Sequence, residues 1–341
     1  MLNRVSTLGL LVVGVLMFIL ALELLKKGAG GIAGLLTVAS AQGMVNLVGF
    51  GWLMAYVALS GSPIAATSLT LLGANALTPL ETFAMINGSR FGASFVVLFT
   101  GFIYYLRGAQ GRPVVSMGVL SMITTATIYL PAMLVGAAVI HWGWLDAVRF
   151  GSPRILSSLV DVLYDPLTGL AATHLHPLVM FILGFVTLLV AFRVFDKSIP
   201  QMDSGLVERR LLDRPLVMFL LGLAVTSITL SVSISLTILV PLAARGLVKP
   251  RQAIPYIMGA NISTFVDTLF ASLLVSHPLA FTVVLTEMLA VAAVSVIVLS
   301  FFYQLYQNAL LQFDRAVRSS RMRFAGFVLV LALVPMILFL I

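Results

Sequence analysis

Apolar residues follow one another in long stretches along this chain, and polar residues are confined to short intervals between them. A stretch of about 18 or more apolar residues is long enough to cross the hydrocarbon core of a bilayer as a helix. The pattern predicts seven membrane spans, at residues 5–25, 91–106, 113–141, 175–195, 252–276, 279–306 and 324–341. The expected fold is therefore an all-α polytopic membrane protein.

Two further apolar stretches, residues 45–77 and 216–246, are too long for one ordinary span. Small polar residues interrupt both of them midway, at Ser60-Gly61-Ser62-Pro63 and at Ser231-Val232-Ser233-Ile234-Ser235. In membrane proteins, irregular backbone at this depth is tolerated where it lines a cavity or is buried in protein. We predict a re-entrant or broken-helix hairpin in each stretch.

The two interrupted stretches align with each other without gaps, in a repeat register that places Gly51 on Gly222. The same register matches Ser60 with Ser231, Ser62 with Ser233, Pro79 with Pro250 and Gly88 with Gly259. Because serine, glycine and proline break or polarise membrane helices, their shared register predicts an internal duplication. The resulting division is a first membrane repeat at 1–141, a connecting segment with an interfacial amphipathic helix at 142–174, a second membrane repeat at 175–306, and a basic loop with a C-terminal transmembrane helix at 307–341.

Composition agrees with the pattern, since 60% of residues are hydrophobic and only 9% are charged. Such a chain cannot cover a soluble globule with polar side chains. The net charge of +8 comes from short basic clusters between the apolar runs, as expected of topology-determining loops rather than of a nucleic-acid surface. We therefore expect membrane lipid around the chain and no nucleic-acid partner, and a homo-oligomer is left open.

Positive charge also predicts the orientation in a cell membrane, either plasma or inner. If both hairpins return to their own side, a cytoplasmic N-terminus places fifteen of the twenty Lys and Arg residues inside. The five outside are Lys26, Lys27, Arg90, Arg149 and Arg154. Residue 25 then lies outside and residue 196, its repeat mate, lies inside, so the two units have opposite topology. Inverted repeats of this kind are common in secondary transporters.

Candidate binding residues cluster at matching places in the two repeats. In the second repeat they are Ser231, Ser233, Ser235 and Thr237, followed by Gly259-Ala260-Asn261-Ile262-Ser263-Thr264. In the first repeat they are Ser60, Ser62, Gly88, Ser89, Arg90 and Ser94. Hydroxyl and amide oxygens can ligate a cation, and an unwound glycine-containing turn would add backbone carbonyls for a cation and amides for an anion.

Three ionisable residues, Arg90, Asp267 and Glu287, fall in or beside apolar segments, where charged groups usually have a functional reason. Arg90 could hold an oxyanion, stand in for a bound cation, or snorkel at the interface. Asp267 could ligate a cation, pair with Arg90 across the repeat axis, or shuttle a proton. Glu287 could couple transport to protons or form an interhelical hydrogen bond as the neutral acid.

Residues 226–241 and 253–264 resemble the second repeat of the type II sodium–phosphate cotransporter family, which has Gln-Ser-Ser-Ser and Gly-Ala-Asn-Ile-Gly-Thr motifs in each half. The likeness extends over roughly residues 8–275 and is stronger in the second half. This chain resembles a divergent member: Leu59 and Leu230 stand where the family has glutamine, Gly61 and Val232 replace the middle serines, and Arg90 replaces the first-half asparagine.

The resemblance implies a secondary active transporter, with phosphate or a similar small anion as substrate and sodium as the coupling ion. It places the possible sodium ligands at Ser231, Ser233, Asn261 and Thr264. The alternatives are a divergent transporter that carries a substrate other than phosphate or is coupled to protons, and a membrane-embedded enzyme or subunit that has lost transport. We expect neither an enzyme nor a cofactor, because no acid, base or metal-binding residues gather at one membrane face.

Overall fold

The computed structural model describes residues 4–38, 43–106, 112–150, 154–198 and 211–341, and within these ranges it is helical without strands. A short 3-10 turn precedes α8, and a π-helical segment joins α13 to α14. The helices are α1 (Arg4–Val38), α2 (Met44–Ala58), α3 (Ser62–Gly73), α4 (Pro79–Leu106), α5 (Arg112–His141), α6 (Arg154–His174), α7 (Pro177–Ser198), α8 (Pro215–Thr229), α9 (Val232–Thr237), α10 (Leu239–Ala244), α11 (Pro250–Ser263), α12 (Phe265–Leu274), α13 (Ala280–Ile297), α14 (Tyr303–Val317) and α15 (Arg321–Leu340).

Seven segments of the described chain are long and apolar enough to cross a membrane, which confirms the all-α polytopic class. They are Gly9–Ile32, Pro79–Tyr105, Val114–His141, Pro177–Phe195, Pro250–Leu274, Ala280–Val317 and Arg321–Leu340. Each overlaps a predicted span, but three boundaries differ by more than four residues. The first span continues to Ile32 instead of ending at residue 25, because Lys26 and Lys27 do not end helix α1. The second span begins at Pro79 instead of residue 91, because Glu81 and Arg90 lower the local hydropathy without ending the helix.

The sixth predicted span was too short at its C-terminal end. Residues 280–317 contain neither glycine nor proline, and helix continues through the π-helical segment Val298–Phe302 to Val317. Much of the predicted basic loop that begins at residue 307 is therefore helical. The break before α15 is confined to residues 318–320.

Both interrupted stretches are broken helices, as the sequence predicts. α2 ends and α3 begins around Leu59, whereas α8 ends and α9 begins around Leu230. Both leucines adopt the left-handed conformation, with φ of 50° and 48°. The left-handed conformation costs a residue with a side chain about 1–2 kcal/mol of conformational free energy. Tertiary packing must therefore stabilise each break.

The backbone follows the repeat register in its local detail as well. After the broken helices, the chain reverses through turns whose central residues, Asn75 and Gly246, both have positive φ. The hydrogen bonds of the two turns are equivalent: Ala74 N to Thr70 O with Arg245 N to Pro241 O, Asn75 N to Leu72 O with Gly246 N to Ala243 O, and Ala76 N to Leu71 O with Leu247 N to Leu242 O. Sequence register and local backbone conformation therefore agree over this part of the chain.

Helices that the repeat register relates run antiparallel where they meet. A Cβ on Gly14 of α1 would lie 2.8 Å from the Phe195 ring, and one on Gly28 would collide with the backbone of Phe181. Residue numbers along α1 therefore increase in the direction in which those along α7 decrease, so the two helices are antiparallel. α5 meets α14 in the same sense, since Ser116 bonds Asp314 and Thr127 bonds Tyr306. The orientation of the two units in a membrane stays a prediction.

The segment between the units forms helix α6, which lies against α1. The Tyr164 hydroxyl donates to the carbonyl oxygen of Leu16 at 2.9 Å. Lys27 Nζ lies 2.7 Å from Asp165 Oδ1, and this contact lowers the pKa of the Asp165 carboxyl. Apolar side chains such as Val162 and Leu167 are exposed on α6. Its interfacial position in the membrane stays a prediction.

Candidate functional site

The two predicted glycine-containing turns are not turns. Residues 88–94 lie within α4, and residues 259–263 lie within α11, with Thr264 at its C-cap. A Cβ on Gly88 would collide with the carbonyl oxygen of Val48, and one on Gly259 with that of Phe219. The glycines therefore permit close packing of α4 on α2 and of α11 on α8. The unwound turns that the sequence predicts at these two places are therefore not formed.

Arg90 lies in the interior of the bundle and is only 2% exposed. Its Nη1 donates to Thr264 Oγ1 at 3.2 Å, and its Nη2 donates to Thr268 Oγ1 at 2.7 Å. The guanidinium also lies over the ring of Phe265, 4.7 Å from the ring centroid. Arg90 is thus neither a loop charge nor a snorkelling side chain, because its head group is held against the first turn of α12 and against Thr264, the residue between α11 and α12.

Asp267 is connected to Arg90 through a hydroxyl group. Thr268 Oγ1 accepts from Arg90 and donates to Asp267 Oδ1 at 2.9 Å. The Ser62 side chain, at the first helix break, lies near the Asp267 carboxyl. In the described part of the chain no direct salt bridge joins Arg90 and Asp267, so the pairing across the repeat axis is indirect.

Glu287 is 1% exposed on α13, and neither of its carboxyl oxygens has a hydrogen-bond partner. The interhelical hydrogen bond that the sequence left open is therefore not formed in this structure. Arg90 and Tyr129 are close enough to interact with Glu287 electrostatically. One guanidinium and two carboxyl groups thus share a single buried region, although the structure forms no direct contact between Glu287 and the other two.

A second polar network joins the two units through α5. Thr125 Oγ1 accepts from Ser94 Oγ at 2.8 Å and from Asn261 Nδ2 at 3.1 Å. The Tyr129 hydroxyl, one turn further along α5, donates to the backbone carbonyl of Asn261 at 2.8 Å. Because Ser94 and Asn261 share Thr125 as a partner, the structure brings together these two predicted site residues, one from each predicted repeat.

The serines of the second break have three different environments. Ser231 Oγ accepts from Ile234 N at 3.4 Å and caps α9. Ser235 Oγ lies 2.6 Å from Thr226 Oγ1 and 2.9 Å from the Tyr256 hydroxyl. Ser233 Oγ is buried without a partner. Of the three, Ser233 has the hydroxyl that no protein group satisfies.

Other predicted site residues do not converge on this region through their side chains. Ser89, Ser263 and Thr237 donate to backbone carbonyls three or four residues earlier in their own helices. This bonding is ordinary for hydroxyl side chains within helices. Ser60 is partly exposed at the first break, where its backbone N donates to Ala55 O. No hydrogen bond among the described residues links the four predicted sodium ligands to one another, and that site stays a prediction.

Each helix break packs against the opposite unit. α9 contacts α4, the helix of Arg90, whereas α3 contacts α12, the helix of Asp267. The first break also lies on α4, since a Cβ on Gly61 would be 2.9 Å from the Ser89 carbonyl oxygen. The buried side-chain atoms without partners in this region include Asn87 Oδ1, Arg90 Nε, Ser233 Oγ, Asp267 Oδ2, and Glu287 Oε1 and Oε2. Burying such atoms unpaired is costly, so a polar ligand would find ready partners here.

A cavity of about 340 Å³ opens near this region, between the start of α4, the end of α5 and the start of α13. Val283 and Thr286 line its α13 side. Val283 precedes Glu287 by one helical turn and lies on the same face of α13, so the cavity lining ends one turn before Glu287 on that face. In the predicted topology this cavity belongs to the outer side of the membrane.

Sequence reasoning missed four residues that build the site. Thr268 stands four positions after Thr264, a spacing that places both hydroxyls on one helical face, so this partner could have been found. Phe265 provides the ring under Arg90. Thr125 and Tyr129 lie in an apolar span that shows no motif, and only the three-dimensional arrangement identifies them.

Comparison with protein families finds that residues 187–333 match the model described as Na+/Pi-cotransporter. The match includes α8–α14 with Ser233, Asn261, Asp267 and Glu287, and it confirms the sodium–phosphate cotransporter-like character of the second half. This family is a transporter family with sodium as its coupling ion. Comparison with curated proteins and with solved structures found no match. Arg90 and the first helix break lie outside the matched residues.

Proposed function

We propose that this multi-pass membrane protein is a secondary active transporter that takes up phosphate, or a similar small anion, by sodium-coupled alternating access. One observation carries the proposal. Two broken helices, equivalent in the repeat register, pack their breaks against the opposite unit around buried polar atoms that have no partners. Broken helices around a buried polar site are the usual construction of substrate sites in secondary transporters.

The chemistry of the region suits a small oxyanion. Arg90 is a fixed positive charge whose Nε has no hydrogen-bond partner. Ser233 has an unpaired hydroxyl that can donate to a phosphate oxygen, and Ser62 is buried at the matching position of the first break. Hydrogen bonds between charged donors and oxyanions are among the strong ones in proteins. We assign the anion to the space between the two breaks and Arg90.

For the coupling ion, we assign the second repeat. Ser231, Ser233 and Asn261 offer neutral oxygens, the ligand type that a weakly held alkali cation requires. The fourth predicted ligand, Thr264, accepts a hydrogen bond from Arg90 instead. The antiparallel arrangement of α1 with α7, and of α5 with α14, supports alternating access. Two units of opposite direction can exchange conformations and so expose one central site to either side in turn.

The test of this function is uptake of labelled phosphate by the protein reconstituted in liposomes. We expect uptake under an inward sodium gradient and none when choline replaces sodium. A matched variant, Ser233→Ala, is expected to lower uptake, whereas Ser319→Ala, on the exposed turn before α15, is expected to leave it unchanged. Absence of phosphate uptake under every gradient contradicts the proposal, and uptake driven only by a proton gradient contradicts sodium coupling.

The opposed orientation of the two units gives a separate prediction. In a chain without natural cysteine, a cysteine introduced at Lys26 should react with a membrane-impermeant reagent added outside intact cells. One introduced at Lys197 should react only after the membrane is opened. Labelling of both positions from the same side would refute the inverted topology, while leaving the helix breaks unaffected.

A further inference from the structure

We propose that Arg90 is a tethered cation: its guanidinium fills a monovalent-cation site formed by Thr264, Thr268 and Asp267 of the other unit. The first half of the protein would then carry its own positive charge, and it would bind no mobile cation at this position. As a statement about the transport cycle, this rests on the proposed function. As a statement about a binding site, it stands on the contacts of Arg90.

The groups around the guanidinium have the chemistry of a cation site. Two hydroxyl oxygens accept from it, at 3.2 Å and 2.7 Å, and the second hydroxyl is itself bonded to the carboxylate of Asp267. Oxygens of hydroxyl and carboxylate groups are the ligands that hard monovalent and divalent cations prefer. Phe265 adds the face of an aromatic ring, which also attracts cations.

Comparison of the two repeats shows that the first carries a positive charge at a position where the second has none. In the repeat register Arg90 corresponds to Asn261, whose amide is neutral. Both residues reach across to the other unit near the same places: Arg90 bonds Thr264, and Asn261 connects through Thr125 to Ser94. Two equivalent positions therefore differ in one respect, the presence of a covalently attached positive charge in the first unit only.

Two polar atoms of the site have no hydrogen-bond partner, so the guanidinium alone does not satisfy every group in it. Arg90 Nε and Asp267 Oδ2 are both buried without hydrogen bonds. Asp267 depends on Arg90 for compensation, because the other buried ionisable group nearby, Glu287, is also acidic. Removing one partner of a buried charge pair leaves the other charge uncompensated, so the carboxyl must then be neutralised by a proton or by a mobile cation in the vacant space.

The test measures sodium binding by thermal stability of the detergent-solubilised full chain, so it does not require transport. We expect NaCl, compared with choline chloride, to raise the melting temperature of Arg90→Ala by roughly 3 °C more than that of the unmodified protein. Low-millimolar guanidinium chloride should have a similar effect on Arg90→Ala. Arg90→Lys keeps a charge in the site and should show no additional sodium response.

A double variant tests whether the Asp267 carboxylate causes the sodium response of Arg90→Ala. In Arg90→Ala with Asp267→Asn, the extra stabilisation by sodium should disappear. If Arg90→Ala is not recovered folded in choline, its membranes are solubilised in NaCl or in guanidinium chloride. Recovery with either cation but not with choline supports the proposal, and failure in all three salts overturns it. The proposal is also overturned if Arg90→Ala is folded but its melting temperature responds to sodium and to guanidinium no more than that of the unmodified protein.

Transport then separates this inference from the proposed function. Arg90→Asn, which copies the residue of the second repeat, should take up phosphate with a steeper dependence on sodium concentration than the unmodified protein. If the unmodified protein takes up no phosphate, but Arg90→Ala gains a sodium response, the transport proposal fails and the tethered cation survives. If uptake is present and Arg90→Asn has an unchanged sodium dependence, the tethered cation fails alone.

Discussion

Replacement of Arg90 by alanine is expected to weaken phosphate binding by about 10- to 150-fold, which corresponds to the roughly 1.5–3 kcal/mol that a hydrogen bond to a charged group contributes. The reason is that Arg90 is 2% exposed on α4, the helix against which both helix breaks pack, and that its Nε has no hydrogen-bond partner. The measurement is the phosphate concentration for half-maximal uptake, at one limiting sodium concentration for all variants.

Two variants make this result interpretable. Lys26→Ala removes a charge that is 41% exposed and lies 3.9 Å from Glu23, so its effect should stay within about twofold. Arg90→Lys preserves the charge but loses the planar fork that reaches both Thr264 and Thr268, so an intermediate loss is expected. Equal effects of Arg90→Ala and Lys26→Ala would show that Arg90 takes no part in anion binding.

The membrane spans and the breaks could be predicted from the sequence because each depends on local composition. An apolar run crosses a bilayer whatever its neighbours are, and the segment from Ser60 to Pro63 interrupts a helix by its own chemistry. The same reasoning placed the second span too late, at residue 91. Hydropathy treats Arg90 as a boundary charge, whereas the fold buries it between helices.

The glycines illustrate what local reasoning misses. Gly88 and Gly259 were expected to unwind the chain, since glycine is the residue of turns. In the structure both lie in helices, and each accepts the backbone of a neighbouring helix at a distance that a side chain would prevent. Only the partner helix decides between these two uses of glycine, and the partner helices begin at Met44 and Pro215, far from either glycine in the sequence.

The contacts between the two units could not be predicted in detail from the sequence either. Asp267 was a candidate partner for Arg90, but the two are joined through Thr268, and Asn261 meets Ser94 through Thr125. Repeat symmetry identifies which residues correspond, such as Arg90 and Asn261, without specifying which residues touch. Thr268 is suggested by its spacing to Thr264, whereas Thr125 belongs to neither motif and no motif search selects it.

Alanine at Gly88 or Gly259 is expected to destabilise the fold severely. The added Cβ would collide with the carbonyl oxygen of Val48 or of Phe219, and a backbone atom held in a helix cannot move away as a flexible side chain would. Overpacking of a well-packed interior costs about 1–3 kcal/mol, and more where backbone must shift. We expect a large fall in the melting temperature of the detergent-solubilised protein and a loss of monodisperse material in size-exclusion chromatography.

Gly30→Ala is the matched control, because it introduces the same methyl group into α1 where no atom lies within 4 Å. A helix gains up to about 1 kcal/mol when an interior glycine becomes alanine, so this variant should be as stable as the unmodified protein or more stable. The two repeats supply a second control within the experiment, since equivalent packing predicts similar losses for Gly88→Ala and Gly259→Ala. If either variant melted like Gly30→Ala, its helix pair would not approach as closely as the structure requires, and the position of Arg90 or of Asn261 on that helix would have to be revised.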